Sequence, residues 1–128
     1  MMPERYLFEY AVVRIVPRVE REEFINVGVI LYCPKRKFLS CMSTLNEQRL
    51  GCFTTVIDID EIKQHLHAFG QICCGSKDGG AIARLDDASR FRWLTATRST
   101  VVQSSKVHPG LCVDPQETLE KLHRELVL

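Results

Sequence analysis

The run Tyr6-Leu7-Phe8-Glu9-Tyr10-Ala11-Val12-Val13-Arg14-Ile15-Val16 is apolar almost without a break and rich in β-branched and aromatic side chains. A strand with one wet face alternates apolar and polar residues, whereas a strand covered on both faces does not. The run therefore predicts a central strand with packed layers above and below it. Period two places Phe8, Tyr10, Val12 and Arg14 on one face and Leu7, Glu9, Ala11, Val13 and Ile15 on the other. Pro17 ends the run, and the charged RVEREE stretch (18–23) reads as a solvated loop.

Outward from this strand, FINVGVILYC (24–33) predicts a second strand, Cys33-Pro34-Lys35-Arg36 a turn, and KFLSCM (37–42) a third strand in an antiparallel hairpin. Gly28 within the second strand calls for a bulge or a close backbone approach. Residues 43–53 read as a short helix or loop. Asp58-x-x-Glu61 then opens a helix with an apolar stripe of Ile59, Ile62, Leu66, Phe69 and Cys73, closed by Gly75. GSKDGG begins a flexible loop over about 75–81. Asp86 or Asp87 caps a short helix through Leu94, residues 99–103 give a fourth strand, and Lys106–Gly110 reads as a turn because Pro-Gly favours one. Asp114-Pro115-x-Glu117 starts the last helix, with Leu119, Leu122 and Leu126 on one face and the pairs Glu117/Lys121 and Glu120/Arg124 along it. The expectation is an α+β single domain over 1–128: a small antiparallel sheet of about four strands with two to three helices packed on it.

The chain of 128 residues and 14.7 kDa, 45% hydrophobic and 26% charged, has the bulk to bury a core without staples. That excludes a disordered tail, a collagen-like fibre and a disulfide-dependent mini-protein. A net charge of +1 shows no global basic excess for nucleic acid. Locally, residues 84–108 hold Arg84, Arg90, Arg92, Arg98 and Lys106 against only Asp86 and Asp87. No membrane span or cleavable leader is visible, and the six cysteines form no C-x-x-C pair, so reduced thiols in a cytosolic protein are expected. Dinucleotide, P-loop, zincin and α/β-hydrolase motifs are absent, and no cofactor is expected.

Several residues stand out against this background. Asp58, Asp60 and Glu61 have the makings of a divalent-metal cluster, but acids in a first helical turn ordinarily cap the backbone and offset the dipole. His108 and Cys112 with Cys73 or Cys74 lack paired zinc-ligand spacing, so no metal is expected. Arg14, a cation inside an apolar strand, must be paired or line a cleft. Asn26 and Gly28 share a face of the next strand, and if that face matches Arg14's, an Arg–Asn pair would sit beside an open backbone patch. Arg92, Trp93, Arg98, Ser99, Gln103 and His108 gather the forks, hydroxyls and indole that serve phosphate recognition or a protein hot spot.

Taken together, Tyr10-Ala11-Val12-Val13-Arg14, Asn26-Val27-Gly28-Val29, Arg92-Trp93-Leu94-Thr95-Ala96 and Val107-His108-Pro109-Gly110 resemble a bacterial family catalogued as domain of unknown function 3037. The resemblance carries no reaction and no catalytic residue. It implies a protein partner, since members often lie beside HipA-like kinases. The leading expectation is thus a non-enzymatic accessory domain that binds such a kinase. The alternative is a nucleic-acid or nucleotide module with Arg92 and Arg98 on phosphate and Trp93 stacking. A third reading is a small hydrolase or nuclease with His108 as base and Arg98 as anion clamp.

Overall fold

The computed structural model describes residues 2–53, 58–98 and 100–128. The first strand, β1 (Tyr6–Ile15), has neighbours on both edges. On one edge it pairs antiparallel with β2 (Ile25–Cys33), which pairs in turn with β3 (Phe38–Ser43). Its other edge is shared by two short antiparallel strands, β4 (Val102–Ser104) beside residues 13–15 and β5 (His108–Cys112) beside residues 6–10. Between them Ser105 continues the ladder: its N–H donates to the Val12 carbonyl and its hydroxyl accepts from the Val12 N–H, both at 2.8 Å. The sheet therefore has five strands. A 3-10 turn over Pro34–Arg36 and a left-handed Lys37 close the β2–β3 hairpin.

Among the described residues four α-helices pack around the sheet: α1 (Glu47–Phe53), α2 (Ile59–Cys74), α3 (Asp87–Leu94) and α4 (Pro115–Leu126). The caps read from the sequence are in place. Asp58 accepts from the Asp60 and Glu61 N–H groups, Asp86 from Ser89, and Asp114 from Gln116 and Glu117, while Gly75 ends α2 in the left-handed region. Residues 75–85 run through two 3-10 turns, the first capped by Ser76.

The two faces of β1 are both covered, as its sequence requires. Phe8, Val29, Leu31, Cys112, Leu119 and Val127 pack under α4, whereas Val13, Ile15, Ile25, Val27, Leu50 and Ile62, with Ala11, Ile30, Phe91 and Leu94, pack under α1, α2 and α3.

Three expectations need correction. Pro109–Gly110 is not a turn but lies within β5, an edge strand where a residue without an N–H is tolerated. Gly110 is there because Phe8 lies directly across from it; a Cβ at Gly110 would sit 2.5 Å from the ring. The pairs Glu117/Lys121 and Glu120/Arg124 do not close; Glu120 instead accepts from the Gln116 side chain at 3.3 Å. Gly28 is opposite Val13, while Asn26 is opposite Arg14, because the register shifts between Val13 and Arg14. Gly28 thus turns away from the Arg14 face, and a Cβ there would meet the Met42 carbonyl at 2.8 Å. Both readings of this glycine, bulge and close approach, hold at once.

Gly110→Ala should lower stability by about 1–3 kcal/mol in urea denaturation, since Phe8 has to leave its rotamer or its neighbours have to yield. Gly51→Ala, where nothing lies within 4 Å of the added carbon on α1, should instead raise it by about 0.5–1 kcal/mol.

Candidate functional site

The sequence-derived candidates fall on opposite sides of the sheet. On the α4 side, Asn26, Arg14 and Gln103 form a row across β2, β1 and β4, each directly opposite the next. Asn26 donates to the Leu126 carbonyl at 3.1 Å, and Arg49 donates to the Val127 carbonyl at 3.3 Å, so these side chains satisfy the otherwise orphaned end of α4. Gln103 is held by the Thr100 carbonyl at 2.7 Å. Arg14 has no acid in contact among the described residues. Its guanidinium lies 3.8 Å from the centre of the Phe24 ring, its Nε is buried without a hydrogen-bond partner, and desolvation lowers its pKa. Of the two roles open to Arg14, internal pairing is therefore excluded within the described residues. His108 also lies on this side, its ring 5.3 Å from that of Tyr10.

Arg92, Trp93 and Arg98 lie on the α2–α3 side. Trp93, near the end of α3, is 40% exposed although it is the chain's one tryptophan. The half-buried Arg98 folds back over it, with the guanidinium carbon 4.0 Å from the ring centre and a hydrogen bond to the Trp93 carbonyl. The two residues form one wall of a groove of about 200 Å³, floored by Phe69 and Ile72 of α2, Leu94 and Val102, with His65 and Thr100 at the rim. The rim is braced: the Thr100 hydroxyl donates to the Val102 carbonyl at 2.7 Å, and His65 lies 3.6 Å from Glu61. Arg92 is exposed one position earlier on α3, where its charge partly offsets the burial, Asp87 and Asp86 that together raise the Tyr32 pKa. Ser99 lies outside the described residues.

Arg98 and His108 therefore lie on opposite faces of the sheet, and the geometry does not bring base and anion clamp together. The same partition separates Cys73, under α2, from His108 and Cys112 on β5. Among the described residues no group of three or more His, Cys, Asp or Glu side chains is arranged to hold a metal. Asp58, of the suspected acid cluster, spends its carboxylate on the α2 N-terminus.

Phe69, Ile72, Val102 and Phe24 were not legible as site residues. Phe69 belongs to the predicted stripe of α2, and a stripe does not reveal which of its members stops short of the core. The groove exists only because α2, α3 and the segment entering β4 meet in three dimensions.

Fold and site together define a small α+β domain in which an exposed tryptophan–arginine pair borders an apolar groove. The chain belongs to the family described as "Protein of unknown function (DUF3037)", whose model matches residues 10–127. No curated protein and no solved structure matches it. None of the described helices is long and apolar enough to cross a membrane.

The two halves of the Arg14 row should respond differently to substitution. Arg14→Met, which keeps the stem against Phe24, should leave stability within about 0.5 kcal/mol of wild type or raise it, because a desolvated unpaired charge is removed. Asn26→Ala should cost about 1–2 kcal/mol by orphaning the Leu126 carbonyl. Urea titrations of both variants check this; a loss of about 2 kcal/mol or more in Arg14→Met would place Arg14 within the structural network.

Proposed function

We propose that this chain is a non-enzymatic accessory domain that binds a protein partner through the Trp93–Arg98 groove. The observation that carries the reading is the indole itself: an exposed tryptophan stacked by arginine at the lip of an apolar depression is the residue pairing that dominates protein hot spots. A groove of about 200 Å³ is smaller than the roughly 300–1,000 Å³ of a metabolite pocket and suits one large side chain. The occupant we infer is an apolar side chain of the partner followed by a carboxylate, which the outward edge of Arg98 would meet. A kinase of the HipA-like class is the first partner to test, on the strength of the family resemblance.

Stacking on nucleic acid is the weaker reading, because Arg98 already covers one face of the indole and a base would have only the other. Salt separates the two, since phosphate-driven binding weakens steeply between low and physiological ionic strength.

The tagged full-length chain, purified from its native host with and without nuclease, should retain one stoichiometric protein in both cases. Trp93→Ala and Arg98→Ala should each weaken that complex by about 30-fold or more, the effect of losing roughly 2 kcal/mol at a hot spot, with unchanged circular dichroism. Full affinity in Trp93→Ala, or recovery that collapses with nuclease, overturns the reading. Co-expression with a HipA-like kinase that gives no complex at low salt removes that partner.

A further inference from the structure

On the far side of α2 from the Trp93 groove, a second depression of about 420 Å³ separates the helix from β3, and Cys41, His67, Gly70, Gln71 and Cys74 line it. Cys41 is the half-buried thiol of β3, on the same sheet face as Ile30 opposite it. Behind it lies Cys73 of α2, only 1% exposed and part of the same core cluster. Cys41 packs against the core cluster that holds Cys73, and each thiol shifts the other's titration. Both are reduced.

We propose that Cys41 and Cys73 form an oxidisable dithiol, in which a hydroperoxide entering the depression converts Cys41 to a sulfenic acid that Cys73 closes as a disulfide between β3 and α2. The arrangement assigns the roles. The neighbouring Cys73 favours Cys41 as thiolate and holds it below the ordinary thiol range, while Cys41 alongside and burial push Cys73 up. The open thiol is thus the nucleophile and the enclosed one the resolving group. The other groups facing the pair are His67 and Cys74 on the depression and Arg90, whose guanidinium is 3.5 Å from the Cys73 carbonyl and is paired with Asp87.

The steps balance with hydrogen peroxide as oxidant. The Cys41 thiolate attacks one peroxide oxygen; the S–O bond forms, the O–O bond breaks, and the leaving hydroxide takes up the proton released from Cys41. The Cys73 sulfur then attacks the sulfenic sulfur; the S–S bond forms, the S–O bond breaks, and the Cys73 proton leaves with the oxygen as water. Two thiols are oxidised by two electrons in all and the peroxide is reduced to two waters. A second thiol pair, Cys33 and Cys112, does not share this chemistry. It lies wholly buried under α4, where Cys33 donates to the Leu7 carbonyl at 3.5 Å and burial, with Cys33 alongside, pushes the Cys112 thiol up to about 11.

The test treats the reduced full-length protein with hydrogen peroxide, blocks remaining thiols under denaturation and maps tryptic peptides by mass. The expected product joins residues 38–49 to residues 64–77 within one chain, reverts with dithiothreitol, and persists in Cys74→Ser. Cys73→Ser should lack the link and instead give a dimedone adduct on Cys41. Cys41→Ser, a near-isosteric change at a half-buried position, should give neither. Linkage through Cys74, a link only between two chains, or first oxidation at the exposed Cys52 would overturn the proposal; should Cys73→Ser fail to fold, fragmentation of the linked wild-type peptide, Cys74→Ser and non-reducing electrophoresis distinguish these outcomes.

Discussion

β1 is paired along both edges, residues 9–15 with β2 and residues 6–10 and 13–15 with β5 and β4, and is packed on both faces; the other elements are placed around it. Because β1 faces α4 through Phe8 and faces α2 and α3 through Ala11 and Val13, neither helical layer can be removed without wetting buried apolar side chains of β1. The same constraint explains the details along its open edge. β4 and β5 are short and separated, yet Ser105 bridges the gap with both its backbone and its hydroxyl, so Val12 does not lose its partners between them. Gly110 yields its side-chain volume to Phe8 for the same reason: the central strand's buried ring needs the space more than the edge strand does.

The sheet also divides the molecule chemically. On the α4 side polar side chains are largely committed to structure, with Asn26 and Arg49 closing the end of the helix and the buried His123 ring 3.0 Å from the Thr44 hydroxyl. Arg14 is the exception, a cation without an acid partner among the described residues and shielded by Phe24. On the α2–α3 side the helices leave two depressions, one beside Trp93 and one beside Cys41, and α2 is a wall of both. Whatever shifts α2 against β3 must therefore alter the Trp93 groove as well, since Ile72 of that groove and Cys73 are consecutive residues.

How far the sequence could be read depended on whether a feature was local. The β1 pattern, the caps at Asp58, Asp86 and Asp114, the left-handed Gly75 and the apolar stripes of α2 and α4 are set by neighbours within a few residues, and all are found where expected. β5 was missed because Pro-Gly ordinarily bends a chain; only Phe8, a hundred residues away, explains why it stays extended here. Arg14 beside Asn26 was legible from alternation, but Gly28 was assigned to the wrong face because a register shift is invisible to a period-two count. Trp93, Arg98 and His108 are close in sequence and looked like one site; the sheet between them separates the indole and guanidinium from the imidazole.

The strand order has a consequence for how the chain is made. β1 is translated first, and β2 can pair with it as soon as residue 33 is available, but its opposite edge has no partner until residues 102–112 have been synthesised. During most of elongation the nascent chain thus carries its central strand with one open edge and an incomplete cover, the condition in which intermediates associate wrongly. Once β5 arrives, Pro109 presents no N–H and blunts the new outer edge against a further strand. The period of exposure falls on the ribosome, and in the finished sheet the β5 edge is protected from extending itself.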